Sequence, residues 1–422
     1  MAPEVAEGGP SGPVGDVELM EFGEQLTGAL ESGDVEAWLA LHDLDDVATA
    51  QQRDWFAAVH AVPMDLREMH PTSVLDSDPP GEGSGAVVEF GFRHQVTGAD
   101  LVPSLEYYRL TLQRSDRSGE LKVVEVAGDT SLRAAYPQLW DISPVTVVEG
   151  ETVVVLADED SATLAENLLP SLDEAGRQVL RDFPIEGVQR MVVTLAEPDL
   201  VARLYGDSEV GEYAGFAIPV GASPEVVADD GLTELETTDD ITVRLVLDED
   251  YTREEWEYYG DELTGGAPLL RHEGLHLVMM LHEPDSWPPA WAVEGLAGWY
   301  EIEADDFTRE DQLWWYDLVV AEQGLPEAIP PSSNRGFFPA DGDLMERHYA
   351  DSAMLFWYVE EAYGRDSVVD VGVALHEIKF FHDEDQAVED ALQEHLGIGA
   401  DQLEADWLDW VRSDLASEEG SG

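Results

Sequence analysis

Apolar residues recur at helical spacing from Asp16 onward. Leu19, Phe22, Leu26 and Leu30 lie three or four positions apart, and the helical pattern continues to about Ala61. Within it, "SGDVEAW" restarts a second short helix, for which Asp34 is the expected N-cap. The Gly/Pro-rich run "DSDPPGEGSG" then reads as a loop. Three strand-like runs follow, "AVVEFGFRHQV", "LEYYRLTLQR" and "LKVVEVA", with the turn "SDRSGE" between the last two. Helices first and an antiparallel meander afterwards predict an α+β domain over residues 16–145.

A second pattern begins near Glu151. "TVVVLA" is a buried-type strand, and "SATLAENLLPSLDEAGRQVLRDF" is an amphipathic helix that Pro170 is expected to kink or break. "VQRMVVTLA", "YAGFAIPV" and "ITVRLVLD" are further strands, with a Gly/Asp-rich loop before the last. Beyond Asp248 the pattern is almost wholly helical. The expectation is a second domain over residues 151–415, a small sheet followed by a helical lobe, with a linker in "DISPVTVVEG".

Composition sharpens this picture. A length of 422 residues calls for more than one core, and 44% hydrophobic residues are normal for globular domains. Ninety-one acidic residues against 21 basic ones give a formal net charge of −70, and Lys122 and Lys379 are the only lysines. The acids are spread along the chain rather than gathered into a tail. That spread fits salt adaptation, in which surface carboxylates keep the protein soluble while salt screens their repulsion. Nucleic acid is not expected as a partner, because its phosphates would meet a negative field.

The absence of cysteine excludes disulfides and cysteine-ligated metal. No apolar run is long enough to predict a membrane span. The start, "MAPEVAEGGPSGPVGD", has neither the basic nor the apolar region of a signal peptide, and residues 1–15 read as a flexible leader. The location stays open between outside the cell, if a signal was trimmed, and the cytoplasm.

One stretch carries chemistry: "LLRHEGLHLVMMLHEPDSWPPAWAVEGLAGWYE", from Leu269 to Glu301. His272-Glu273-Gly274-Leu275-His276 is an H-E-x-x-H pattern. Two histidines four apart share one helix face, so both imidazoles reach a single ion, while Glu273 points beside it and can take a proton from water. Chance produces this pattern in some acidic chains, so its context matters. The flanking residues are apolar (Leu269, Leu270, Leu277, Val278), and a shared ion explains two buried histidines better than separate hydrogen bonds do. Pro288 and Pro289 then start another helix, which carries Glu294 and Glu301. A two-histidine zinc site needs a third protein ligand, and a carboxylate from a second helix is one solution. Glu283 lies about 10 Å along the first helix from His276, too far for a metal bond. Glu294 and Glu301 are also about 10 Å apart in rise, so one of them alone can touch the ion. The small residues Gly295 and Ala297 are expected to let the two helices approach closely beside Glu294. His282 and Glu283 are expected to be exposed, and Glu301 to be either a support for a ligand histidine or a surface carboxylate.

H-E-x-x-H, a short loop and "PAWAVEGLA" resemble the gluzincin zinc metallopeptidases, in particular peptidase MA-like domains. "TVVVLA" is similar to the opening of such domains, and "RHYADSAMLFWYVEEAYG" and "LEADWLDWV" to their closing helices. The resemblance implies a zincin-type domain with one Zn2+ held by His272, His276 and Glu294, Glu273 as general base, and a peptide or protein substrate. It also implies that Tyr349, or less strongly His348, stabilises the oxyanion, and that an edge strand such as "YAGFAIPV" pairs with substrate backbone. The N-terminal region, with "ALESGDVEAWLAL", resembles the cone-shaped SnoaL-like and nuclear-transport-factor-like superfamily. That superfamily often holds a pocket inside its curved sheet. Arg93 and His94 are the polar candidates there, read here as ordinary strand residues. Two other readings compete: a zinc-binding scaffold or regulator without peptidase activity, and an interaction protein whose motif is accidental.

A chain this acidic repels itself at low ionic strength. Its melting temperature is expected to rise steeply from millimolar to molar KCl; a melt unaffected by salt would remove the salt-adaptation argument.

Overall fold

The computed structural model describes residues 14–77, 85–115, 117–128, 137–205, 214–223, 225–227, 232–236, 241–259, 266–303, 306–379 and 383–418. Nearly all of the expected leader, and most of the "DSDPPGEGSG" loop, lie outside these residues. The fold is α+β. The chain divides into two compact units, one of Met1–Asp173 with Glu186–Tyr258 and the other of Glu174–Ile185 with Tyr259–Gly422. Among the described residues no helix is long and apolar enough to cross a membrane.

The first unit opens with α1 (Asp16–Ser32), α2 (Val35–Ala40) and α3 (Asp46–Ala61). Asp34 caps α2 by accepting from the backbone N–H groups of Glu36 and Ala37, and Asp45 caps α3 in the same way. Four antiparallel strands follow in sequential order: β1 (Met64–Ser77), β2 (Gly85–Val96), β3 (Ser104–Arg114) and β4 (Leu121–Gly128). The three strands read from the alternation are β2, β3 and β4. β1 is not legible in that way, because Asp65, Arg67, Glu68 and Pro71 interrupt its apolar pattern. It lies at the sheet edge, where a proline is tolerated, and its register shifts between Pro71 and Ser73.

After the short α4 (Leu139–Ile142) come β5 (Thr146–Glu149), β6 (Val153–Ala157), α5 (Ala162–Asp182), β7 (Met191–Ala196), α6 (Pro198–Tyr205), β8 (Gly215–Gly221), the hairpin-like pair β9 (Glu225–Val227) and β10 (Glu234–Glu236), and β11 (Ile241–Asp248). α7 (Glu249–Tyr259) follows. A five-stranded sheet has the order β5-β6-β7-β11-β8, with β6, β7 and β11 parallel and the two outer strands antiparallel to their neighbours. β8 is thus an edge strand of this sheet, although Ala222 just beyond it bridges to Ser104. Pro170 does not break α5. It lies on the exposed face, where water can serve the carbonyl that loses its partner.

The expected linker is a correction. "DISPVTVVEG" contains β5, which pairs with β6. The core of the first unit also runs on from Leu19, Phe22, Phe90 and Phe92 to Val154, Leu156, Val192 and Val246 of the five-stranded sheet. Polar contacts tie the two sheets at the same place. Gly98, with φ of 74°, turns its carbonyl to accept from Gln189 and Arg190 N–H at 2.6 and 2.9 Å. Arg244 of β11 donates to both carboxylate oxygens of Asp100 at 2.6 and 2.9 Å and to Ser104 Oγ at 3.0 Å, with Arg244 and Asp100 both buried. The two sheets therefore fold as one body, not as separate domains.

The second unit holds α8 (Ala267–His282), α9 (Ala290–Glu303), α10 (Asp306–Gln323), α11 (Asn334–Phe337), α12 (Gly342–Tyr363), α13 (Arg365–His376), α14 (Glu384–His395) and α15 (Ala400–Glu418). α9 is its centre, packing on α8, α12 and α13. Gly295 has no room for a side chain: a Cβ there would lie 2.7 Å from both the Ser352 carbonyl oxygen and the Phe356 ring. This corrects the expected reason for that small residue, since the close approach is to α12 and not to α8.

Removing Asp100 leaves the Arg244 guanidinium buried without a counter-charge. Asp100→Ala is expected to cost about 3–5 kcal/mol in unfolding free energy, measured by urea titration at fixed salt. A loss below about 1 kcal/mol, typical of an exposed pair, would show that the contact is not buried as described.

Candidate metal centre

Gly266, with φ of 79°, opens α8, and Pro268 occupies its first turn, where a missing N–H does no harm. Leu269, Leu270, Leu275, Leu277 and Val278 are buried on different sides of the helix, so α8 is an interior element. Its 3.6-residue period sets His272 and His276 one turn apart on one face, ring centroids 4.8 Å apart and planes crossed at 79°.

α9 supplies the acid. Glu294 Oε2 lies 3.3 Å from His272 Nε2 and 3.4 Å from His276 Nε2. One ligand atom from each of these three residues lies within 4.8 Å of the other two, an arrangement that could hold a metal ion. Two turns along α9, Glu301 Oε2 is 3.1 Å from His272 Nδ1. Of the two readings of Glu301, the structure shows it paired with His272 through Nδ1, which turns Nε2 toward Glu294. Arg271 donates to the Glu301 carbonyl at 3.0 Å and ties α8 to the same turn.

Electrostatics match this geometry. Burial pushes the Glu294 carboxyl upward, but the charge of His276 and hydrogen bonds from both histidines outweigh it and hold the pKa at about 2. Burial disfavours charge on His272, yet Glu294 and Glu301 raise its pKa well above the ordinary value. Glu273, 4% exposed, is raised by burial, with the neighbouring histidines opposing and Glu294 and Glu301 adding. Three carboxylates facing two imidazoles make a cation trap, for which protons and metal ions compete. Glu273 Oε2 has no hydrogen-bond partner among the described residues. It is a free acceptor held beside the triad.

The other expected residues are placed as follows. Tyr349 is half-buried, with its ring edge-on to Phe337 and Phe338 at centroid distances of 5.5 and 6.1 Å. His348 Nδ1–H donates to the Phe337 carbonyl at 2.8 Å. Of the two residues expected to be exposed, His282 is, and it pairs with Glu377; Glu283 is half-buried and bound by Lys379, one of the two lysines. One residue had no signal in the sequence. His376, buried at the end of α13, lies within electrostatic reach of His276 and Glu294. Burial lowers its pKa to about 4, and its Nδ1–H donates to the Gly372 carbonyl at 2.7 Å, so it presents a neutral ring there. A lone histidine a hundred positions downstream has no spacing that could reveal it.

No protein-family model matches the chain, and no curated protein is significantly similar to it.

Glu294→Ala is expected to abolish stoichiometric zinc binding, because it removes the one carboxylate among the described residues that reaches both Nε2 atoms. Glu301→Ala should keep stoichiometry near one and weaken affinity about 10–100-fold, the usual effect of losing a carboxylate behind a ligand histidine. Chelator competition measures both, and the reverse order of effects would overturn the assignment.

Proposed function

We propose that the chain is a salt-adapted zinc metallopeptidase of gluzincin type, its catalytic part a zincin-type arrangement in which α8 is the active-site helix. His272, His276 and Glu294 would hold the ion. The donor set of two imidazoles and one carboxylate suits zinc and leaves room for a non-protein ligand. Bound there, zinc would supply Lewis acidity toward a peptide carbonyl and toward water.

The observation that carries the reading is Glu273. A protein that only stores or is braced by a metal has no use for a buried carboxylate with an unpartnered oxygen next to the ligands, whose desolvation is costly. As a general base it has the needed properties. It sits between the ligand histidines in sequence without belonging to the triad, and burial raises its proton affinity toward the range where a group can both accept and return a proton. In peptide hydrolysis it would take a proton from the attacking water and pass it to the leaving nitrogen, so that no net charge stays behind. Glu301 would keep His272 in the tautomer that offers Nε2.

Glu273→Gln keeps the shape of the side chain and removes the base. It is expected to retain one zinc per chain and the wild-type melting temperature, and to lose activity on a mixed peptide library by on the order of 10²–10⁴-fold. Activity within a few-fold of wild type would exclude the general-base role. Zinc binding without peptidase activity in the wild type would favour the scaffold reading.

A further inference from the structure

The first unit contains a cavity of about 670 Å3, lined by α2, α3, β3, β4 and α4. Its size falls in the range of small-molecule pockets, about 300–1,000 Å3. Its walls combine two kinds of surface. Trp38 and Trp55 stack at 5.3 Å, and Trp140 and Tyr108 add further aromatic faces. Glu106 and Asp141 stand among them as carboxyl groups.

The hydrogen bonds between these groups require a shared proton. Tyr108 Oη lies 2.8 Å from Glu106 Oε2 and 2.6 Å from Asp141 Oδ1. A phenol has one hydrogen and can donate to one of the two carboxylates. The other contact holds only if that carboxyl is itself protonated and donates in return. Burial, with the Glu106 charge adding to it, raises Asp141 to about 7, in accord with this arrangement. The Glu106–Asp141 pair therefore carries one carboxylate charge and one proton that can be displaced, with His94 Nε2 at 2.7 Å from the other Glu106 oxygen. His42, also in the wall, offers no compensating charge, since burial lowers its pKa to about 4. Among the described lining residues Arg203 is the single arginine or lysine, and it is exposed. Trp38, 3% exposed, leaves its indole N–H without an acceptor among the described residues.

We propose that this cavity binds a small organic cation, an alkylated ammonium with a short polar tail, its charge placed over the tryptophan faces and beside the Glu106–Asp141 pair. Aromatic faces attract such a cation through their quadrupole, most strongly when water is excluded. An anion would meet the buried carboxylate, and a purely apolar ligand would gain nothing from it. A metal ion fits less well, because the Glu106 oxygens are already taken by His94 at 2.7 Å, by Tyr108, and by Trp140 at 3.4 Å. An alkylammonium needs no directed bonds and can leave that network in place. The proposal does not rest on the peptidase reading.

The test is calorimetric titration of the full chain in molar KCl with choline and with 3,3-dimethylbutan-1-ol, which has the same shape and no charge. Choline is expected to bind one per chain, at least about tenfold tighter than the alcohol, and to change tryptophan fluorescence. Asp141→Asn keeps the shape of the wall and, titrated about two pH units above the Asp141 pKa of about 7, where the wild-type carboxyl is ionised, should weaken choline alone, with the circular dichroism spectrum unchanged. Equal affinity for the two probes would make the cavity an apolar pocket and overturn the proposal, as would the failure of choline to bind. If choline binds but Asp141→Asn leaves its affinity unchanged, the site lies elsewhere and this assignment fails.

Discussion

A buried helix that carries two imidazoles and a carboxylate within one turn cannot be left without compensation, because each group lost water on folding. In this protein the compensation comes from α9, whose Glu294 faces both Nε2 atoms and whose Glu301 takes the Nδ1 of His272. That need for partners fixes how α9 is turned. With Glu294 and Glu301 toward α8, Gly295 and Gly298 face α12, where Ser352, Ala353 and Phe356 leave no space for larger side chains. Trp299 is placed by the same rotation, its indole N–H on Glu360 at 2.8 Å and its ring beneath Arg365 at 5.1 Å. The site and the packing of the second unit are thus one constraint.

The acidic composition has a second consequence inside the protein. With few basic residues available, several of them are placed where their loss would cost most. Arg244 pairs with Asp100 in the core of the first unit, and in the second Arg347 binds Asp351, whose carboxylate also accepts from Tyr316 at 3.0 Å. Pairs of this kind add little net stability over apolar side chains, but removing one partner is costly, so they specify the arrangement. Where no base was available, carboxyl groups are buried beside histidine, tyrosine and tryptophan, as around Glu106 and Asp141. Both candidate sites reflect this shortage of cations: each gathers carboxyl groups in a dry place, Glu294 and Glu301 beside the histidines and Glu106 and Asp141 around Tyr108.

Much of the site was legible because its signals are local. The i, i+4 spacing of His272 and His276 follows from helix geometry alone, and the rise along α9 already separates Glu294 from Glu301. The strands with clean alternation, β2, β3, β4 and β11, were legible for the same reason. β1 was not, because an edge strand needs no unbroken apolar face and tolerates Pro71. β5 was not, because a four-residue strand has too few positions for a period to register.

The sequence by itself determined the α+β class, the helical run of the second unit, the two histidines on one face and the net charge, since each depends on residue identity or on spacing within one element. Tertiary structure decided what depends on contacts between residues far apart in the chain. It merged the two sheets of the first unit into one core through Arg244 and Asp100, 144 positions apart. It assigned Glu301 to His272 rather than to solvent, brought His376 near the triad and closed a cavity around Tyr108. Side chains that meet across such separations leave no periodic trace in one sequence, because nothing local constrains the distance between them.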